Sequence, residues 1–199
     1  MELLVVRHGQ SEADILGRHE GRADYELTAL GMRQAKRLAE WVNEKFPPDY
    51  ILSSPLKRAV QTASIISEKC GIDVTLQADL MEFNNGLLAG LTFEEAREKY
   101  PAPAGGKKPH VSYYQQETMI EFRMRAEAFL SKIIHEYPEN KRLLIVSHGG
   151  MMNMLFRSFM MLPIGTDFGI YNGDTAAHLW RVEGSKRYID FMNSQEHLR

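Results

Sequence analysis

The amino-acid sequence predicts an α/β fold: a three-layer α/β/α sandwich with a mostly parallel central sheet. Short apolar segments, typical of buried strands, alternate with longer segments whose apolar residues recur at helical spacing. Glycines and prolines mark the ends of several of these segments. This alternation of strands and helices favours a parallel sheet covered by helices.

Six segments are short and largely apolar, and we therefore predict that they are strands. The first is the run LLVV, which is β-branched at its end and is followed by Arg7, His8 and Gly9. The third is a weaker candidate than the others. In chain order, the predicted strands are residues 3–6, 50–52, 74–76, 143–146, 175–182 and 188–192.

Five segments are predicted helices because of their apolar spacing and their end signals. Thr28 is a predicted N-cap, and so is Ser54, with Pro55 at the first helical position. Thr92 and Glu95 have the spacing of a capping box. In chain order, the predicted helices are residues 28–46, 55–70, 92–100, 117–137 and 151–162.

The whole chain, residues 1–199, is predicted to be one domain with a small inserted lobe. A length of 199 residues suits one domain with a sizeable core. Residues 82–116 interrupt the alternation and are expected to form a lid-like lobe over one edge. Within them, residues 101–109 (PAPAGGKKP) have the composition of a linker and are expected to be mobile.

The composition excludes several classes of protein. The 24 Lys and Arg against 26 Asp and Glu give a net charge of -2, so the basic excess typical of nucleic-acid and membrane-surface binders is absent. The single cysteine excludes an intrachain disulfide framework and suggests a reducing compartment. Neither a membrane span nor a signal peptide is recognisable. We therefore expect a cytoplasmic monomer or homodimer that binds neither nucleic acid nor membranes.

Two predicted strands are followed by a histidine and a glycine. LLVV leads to Arg7 and then His8–Gly9, and LLIV leads to His148, Gly149 and Gly150. Because the carboxyl ends of parallel strands meet at one edge, where ligands bind, we expect the two histidines to share a pocket. Either histidine alone would more often be a hydrogen-bonded turn residue.

A third strand leads to Arg58, in the first turn of a helix, where free N–H groups and the helix dipole favour an anion. A lone arginine is usually solvated, but here Arg7, His8 and His148 are expected at the same edge. This joint placement predicts a phosphate-binding site. The sequence has no glycine-rich P-loop, which excludes a Walker-type nucleotide site.

Five sequence blocks, in order, resemble the histidine phosphatase (phosphoglycerate mutase-like) superfamily and extend over nearly the whole chain. They are Arg7-His8-Gly9-Gln10-Ser11, Leu27-Thr28-x-x-Gly31-x-x-Gln34-Ala35, Ser53-Ser54-Pro55-Leu56-x-Arg58-Ala59-x-Gln61-Thr62-Ala63, Leu80-x-Glu82 with Gly86 and Gly90, and Ser147-His148-Gly149-Gly150.

The resemblance implies a catalytic set of five residues. His8 would attack phosphorus and become phosphohistidine, and Arg7, Arg58 and His148 would hold the phosphoryl oxygens. Glu82, which by itself could equally be a surface carboxylate, would protonate the leaving alcohol and then help to activate water. Two arginines would balance the dianion, so we expect no metal ion and no cofactor. Substrate contacts are expected from Arg7, Gln10, Ser11, Asp14, Gly21, Arg58, His148 and Gly149.

Two positions depart from the family pattern. The family usually has asparagine six residues after the nucleophile, where this chain has Asp14, whose negative charge would repel phosphate. We expect Asp14 to be salt-bridged, with Arg18 or Arg22 as partner, beside the phosphate rather than against it. The second departure is Ala89–Gly90, where relatives often have Glu-Gly, and it affects the expected substrate contacts more than the chemistry.

The expected function is hydrolysis of a small phosphorylated metabolite. The chain is short, and its linker-like segment, residues 101–109, does not suit the water exclusion that a mutase needs. Three alternatives stay open: a cofactor-dependent phosphoglycerate mutase, a metal-dependent hydrolase with His8, His148 and Glu82 as ligands, and a silent module that binds a phosphorylated ligand.

Overall fold

Within the residues that the computed structural model describes, 1–166 and 168–199, six strands form one sheet. They are β1 (Glu2–Arg7), β2 (Tyr50–Ser53), β3 (Val74–Leu76), β4 (Arg142–Ser147), β5 (Ala177–Glu183) and β6 (Lys186–Ser194). Their order across the sheet is β3-β2-β4-β1-β5-β6. Strands β1 to β4 pair in parallel, and β5 and β6 continue the sheet antiparallel at one side, so the prediction of a mostly parallel sheet is confirmed.

The helices of the same residues cover both faces of the sheet. They are α1 (Glu12–Leu16), α2 (Ala29–Lys45), α3 (Lys57–Cys70), α4 (Phe93–Lys99), α5 (Met119–Glu136) and α6 (Gly149–Phe159). Because side chains alternate along a strand, Leu3 and Val5 of β1 pack on the α5–α6 side, and Leu4 and Val6 pack on the α2–α3 side. The predicted three-layer sandwich is confirmed.

Two predicted helix starts, at Thr28 and Thr92, are confirmed. The Thr28 hydroxyl accepts the N–H of Gly31, and Thr92 and Glu95 form the predicted capping box. The prediction for α3 is wrong, because this helix begins at Lys57 with Leu56 in the N-cap position. Ser54 lies before the helix, where its hydroxyl has other partners, described below. The short helix α1 lies in a stretch that the sequence predicted to be a loop.

Residues 82–116 contain α4 and a short 3-10 helix, Gly86–Leu88. This segment packs along the loop that follows α1. The His19 N–H donates to the Leu91 carbonyl at 2.9 Å, and the Gly90 N–H donates back to the His19 carbonyl at 2.8 Å. The segment therefore lies beside the residues that border the sheet edge described next. No helix of the described residues is long and apolar enough to cross a membrane.

Candidate active site

The ends of three neighbouring strands bring the predicted catalytic side chains together. Arg7 of β1 lies beside Ser147 of β4 in the sheet register, so His8 and His148 follow neighbouring strands. The centroids of the two imidazole rings are 5.0 Å apart, and each residue is 1% exposed. Helix α3 follows β2, the other neighbour of β4, and contributes the fully buried Arg58.

His8 has the tautomer that a nucleophile needs. Its Nδ1 is 2.7 Å from the Gly9 carbonyl, so Nδ1 carries the proton, and the lone pair of Nε2 accepts from Nε of Arg58 at 3.2 Å. Burial, together with the positive charges of Arg58 and Arg7, holds the pKa of His8 well below its usual range. The imidazole is therefore neutral, with its lone pair directed into the site.

Arg58 is held in place by the loop between α1 and α2. Its Nη1 donates to the Ala23 carbonyl at 3.0 Å, and its Nη2 donates to the Gly21 carbonyl at 2.9 Å. Gly21 has a φ of +50°, and a Cβ there would lie 2.8 Å from the Phe83 carbonyl oxygen, so this turn requires glycine. The guanidinium is thus oriented before any anion binds.

His148 presents the opposite nitrogen to the site. Its Nε2 is 2.8 Å from Oγ of Ser54, and among the described residues Nδ1 has no hydrogen-bond partner, although it is buried. Ser54 Oγ also accepts the N–H of Leu56 at 3.3 Å, so the hydroxyl proton is free to go to His148 Nε2. Burial, with Arg58 and His8 nearby, keeps the pKa of His148 well below its usual range, and the ligand-free imidazole is neutral.

Glu82 lies at the N-terminus of α6. Its carboxylate accepts the N–H groups of Gly150 at 2.8 Å and Met151 at 3.0 Å, and that of Phe83 at 2.8 Å. The Glu82 carboxylate thus lies at the first turn of α6, the helix that follows His148. A Cβ at position 150 would lie 2.5 Å from Oε1 of Glu82, so glycine is needed there for this approach.

Arg7 is paired with carboxylates as well as with the backbone. Its Nη1 donates to the Asn172 carbonyl at 2.8 Å and is 3.5 Å from Asp174, and its Nη2 is 3.4 Å from Asp14. The expected salt bridge of Asp14 is present, but its partner is Arg7, so the prediction of Arg18 or Arg22 is wrong. Asp14 also caps α1, because it accepts the Ser11 N–H in a capping box.

Glu20 is the most important residue that the sequence analysis missed. Its Oε2 lies 3.4 Å from Nε of Arg58 and 3.8 Å from Nε2 of His8, and its Oε1 accepts from the Ser11 hydroxyl. Burial raises the pKa of this carboxyl, against the attraction of Arg58. The only local signal for Glu20 was its position next to Gly21.

The other predicted contact residues have different surroundings. Ser11 is buried and caps α1, and Gly149 is the first residue of α6. The side chain of Gln10 accepts from the Thr28 hydroxyl at 2.9 Å, so it points to the start of α2. Ser54 and Asp174 join Glu20 as residues that the structure adds to this edge.

A polar cavity of about 500 Å³ opens beside Glu82. Arg22 and Arg125 both donate to the Glu82 carbonyl, at 3.5 and 3.3 Å, and both line the cavity. Its remaining lining residues are polar: Asn84, Ser112, Gln115, Gln116, Glu117 and Glu121. Over residues 1–166 and 168–199, no group of three or more His, Cys, Asp or Glu side chains is arranged to hold a metal ion.

Comparisons with known proteins identify relatives. The family model of the histidine phosphatase superfamily (branch 1) matches residues 3–195. The chain is 35% identical over 151 residues to the Bacillus subtilis protein called uncharacterized phosphatase PhoE, covering 76% of this chain and 73% of that one. It is 30% identical over 202 residues to phosphoserine phosphatase 1 of Hydrogenobacter thermophilus, covering 100% and 94%. It is 34% identical over 166 residues to the probable phosphoglycerate mutase GpmB of Proteus mirabilis, covering 82% and 76%.

Among solved structures, a phosphoserine phosphatase variant of Entamoeba histolytica in complex with phosphoserine superposes with a TM-score of 0.80. The two are 26% identical, and the match covers 100% of this chain and 99% of that one. The resemblance found in the sequence is thus confirmed over nearly the full length. The chain belongs to the histidine phosphatase superfamily, branch 1, and its relatives include proteins named as phosphatases.

Proposed function

We propose that this protein hydrolyses phosphomonoesters without a metal ion, through a phosphohistidine formed on His8. The observation that carries the proposal is the geometry of His8: Nδ1 is 2.7 Å from the Gly9 carbonyl, and Nε2 accepts from Nε of the buried Arg58 at 3.2 Å. A nucleophilic histidine needs an unprotonated nitrogen, and the transferred phosphoryl group needs fixed cationic donors. Both are present at one sheet edge.

In the first step, Nε2 of His8 attacks phosphorus in line with the departing alcohol oxygen. The P–N bond forms as the P–O bond breaks, and a protonated Glu82 gives its proton to the alcohol oxygen. Arg58, whose Nε–H donates to His8 in the free protein, would donate to a phosphoryl oxygen instead. Arg7 and Nδ1–H of His148 would bind the other oxygens.

In the second step, water hydrolyses the phosphohistidine. The Glu82 carboxylate accepts a proton from the water, whose oxygen attacks phosphorus as the P–N bond breaks. The electron pair returns to Nε2 of His8, and inorganic phosphate leaves. The backbone N–H groups of Gly150 and Met151 hold the Glu82 carboxylate next to the site throughout.

The substrate in this proposal is a small metabolite with a polar alcohol. The polar cavity adjoins the Glu82 backbone through Arg22 and Arg125, and in this proposal the leaving alcohol extends towards it. Phosphoserine is the first substrate to test, because relatives that match the whole chain are named for it. 3-Phosphoglycerate is the second.

The test is phosphate release from p-nitrophenyl phosphate in excess EDTA, with wild type beside His8→Ala. We expect turnover that survives EDTA and is lost in the variant, with an acid-labile phosphoprotein trapped only in wild type. His110→Ala, at an exposed histidine, is the matched control. Turnover that EDTA abolishes would support the metal-dependent alternative instead.

A mutase is the second candidate, because several relatives are named probable phosphoglycerate mutases. With 3-phosphoglycerate as substrate, a mutase would produce 2-phosphoglycerate and little free phosphate. A phosphatase would release one phosphate for each molecule consumed. Measuring both products in the same reaction separates the two candidates.

A further inference from the structure

The Glu20 carboxylate lies beside His8 and Arg58, in the space that a phosphoryl group bound to these two residues would occupy. For in-line attack, phosphorus has to lie about 3–3.5 Å from Nε2 of His8. Oε2 of Glu20 is already 3.8 Å from that nitrogen and 3.4 Å from Nε of Arg58. A phosphoryl group bound to His8 and Arg58 therefore meets this carboxyl group directly.

The charged groups around Glu20 disfavour the presence of both an ionised Glu20 and a phosphate dianion. The positive groups that face it are Arg58 of α3 and Arg7 of β1. The neutral His8 and the Ser11 hydroxyl also face it, and Asp14 of α1 adds a second negative charge. A phosphate dianion beside an ionised Glu20 would thus be repelled at short range in a buried site.

The backbone on both sides of Glu20 is held by hydrogen bonds, which keeps the residue at the edge of the site. His19 exchanges two hydrogen bonds with the segment at Gly90 and Leu91. The Gly21 carbonyl accepts from Arg58, and the Glu20 carbonyl accepts the Ala23 N–H at 2.8 Å. Glu20 is thus held in a turn that also positions the phosphate-binding arginine.

We propose that Glu20 contacts the substrate as the neutral acid: its protonated carboxyl group donates a hydrogen bond to a phosphoryl oxygen, so phosphate binding takes up one proton at this residue. This inference rests on the proposed function, since it places a phosphoryl group on His8. Ionised Glu20 competes with the phosphoryl group for Arg58. The same residue therefore makes affinity fall as pH rises.

The experiment compares the dissociation constant of inorganic phosphate for wild type and Glu20→Gln between pH 5 and 8. Taking the ratio of the two proteins at each pH cancels the ionisation of phosphate itself. Above the pKa of Glu20, we expect wild type to bind phosphate more weakly than Glu20→Gln. The ratio of the wild-type dissociation constant to that of the variant should rise about tenfold for each pH unit. Calorimetry in buffers of different ionisation enthalpy should show up to one more proton taken up per phosphate in wild type.

Glu12→Gln, at an exposed carboxylate of α1, is the matched control and should follow wild type. Glu20→Asp keeps a titratable group and should keep a pH-dependent ratio, and the melting temperature of each variant verifies its fold. A ratio that does not change with pH, or phosphate binding that is weaker in Glu20→Gln at every pH, would overturn the inference. Failure of the proposed function is a separate result: phosphate binds with the expected pH dependence, but p-nitrophenyl phosphate is not hydrolysed.

Discussion

At the scale of the residue, two histidines at equivalent strand ends have opposite tautomers. The Gly9 carbonyl accepts a hydrogen bond from Nδ1–H of His8, so the lone pair lies on Nε2, the proposed nucleophile. Ser54 meets His148 at Nε2, which places the His148 proton on Nδ1 and makes that nitrogen a donor. One hydrogen bond decides each tautomer, because a neutral imidazole has one donor and one acceptor.

Ser54→Ala should weaken phosphate binding and slow turnover, because His148 loses the partner that selects its tautomer. We expect kcat/KM for p-nitrophenyl phosphate to fall by roughly tenfold, the effect of one hydrogen bond. Ser54→Thr keeps the hydroxyl and should restore most of the activity. Equal kcat/KM in wild type and the alanine variant would show that Ser54 does not position His148.

Glu82→Gln removes the proposed proton donor while preserving its size. The loss of kcat/KM, which reports only the steps up to phosphoryl transfer to His8, should depend on the leaving group: about a hundredfold or more for an alkyl phosphate such as phosphoserine, and much less for p-nitrophenyl phosphate, whose leaving group needs no proton. The measurement is kcat/KM across a series of leaving groups, because kcat also includes the hydrolysis of phosphohistidine, which all substrates share. If poor and good leaving groups slow equally, Glu82 is not the donor.

At the scale of the element, Gly9 and Gly31 allow the backbone of α2 to pack closely against the loop that carries His8. A Cβ at Gly31 of α2 would lie 2.1 Å from the Gln10 carbonyl oxygen, and a Cβ at Gly9 would lie 2.6 Å from the Gly31 carbonyl oxygen. These are contacts between backbones, so no side chain can move aside. The close packing of these two elements fixes the position of His8, the proposed nucleophile.

Gly31→Ala should therefore destabilise the protein and misplace the loop after β1. We expect the free energy of unfolding in urea to fall by about 2 kcal/mol or more, with reduced turnover in the fraction that stays folded. Gly165→Ala is the control, since a Cβ there meets nothing within 4 Å. Equal stability of the two variants would contradict this account.

At the scale of the whole molecule, burial of neutral histidines makes stability depend on pH. His178 of β5 is fully buried, and burial lowers its pKa to about 4. Above pH 6.5 the side chain is neutral in both the folded and unfolded chains. As pH falls from 6.5 towards 4, the unfolded chain takes up a proton that the folded protein does not, so the free energy of unfolding decreases.

His178→Asn should remove this part of the acid sensitivity. The Asn193 N–H donates to Nδ1 of His178, and asparagine keeps an acceptor near that position. Urea unfolding of wild type should lose up to about 3 kcal/mol more than the variant between pH 6.5 and 4. His110→Asn, at an exposed histidine, should behave like wild type. Parallel stability curves for wild type and His178→Asn would refute the prediction.

The sequence by itself determined the sandwich and most of the site. The apolar spacing of strands and helices is a pattern among residues close in sequence, and it can be read without the fold. The same holds for the N-caps at Thr28 and Thr92, and the structure confirms both. The paired His-Gly turns at His8 and His148 follow neighbouring parallel strands, so their meeting could be predicted from the fold class alone.

Only the tertiary structure decided which charges surround these histidines. Asp14 pairs with Arg7 and Glu20 approaches His8, because packing sets the distance between loops that no local pattern encodes. The start of α3 also differs from the prediction: the helix begins at Lys57, and the Ser54 hydroxyl contacts His148, a residue distant in sequence. Protonation states also depend on the tertiary structure. Burial and neighbouring charges shift the pKa values of His8 and Glu20, and the burial and the charge contacts arise only when the chain is folded.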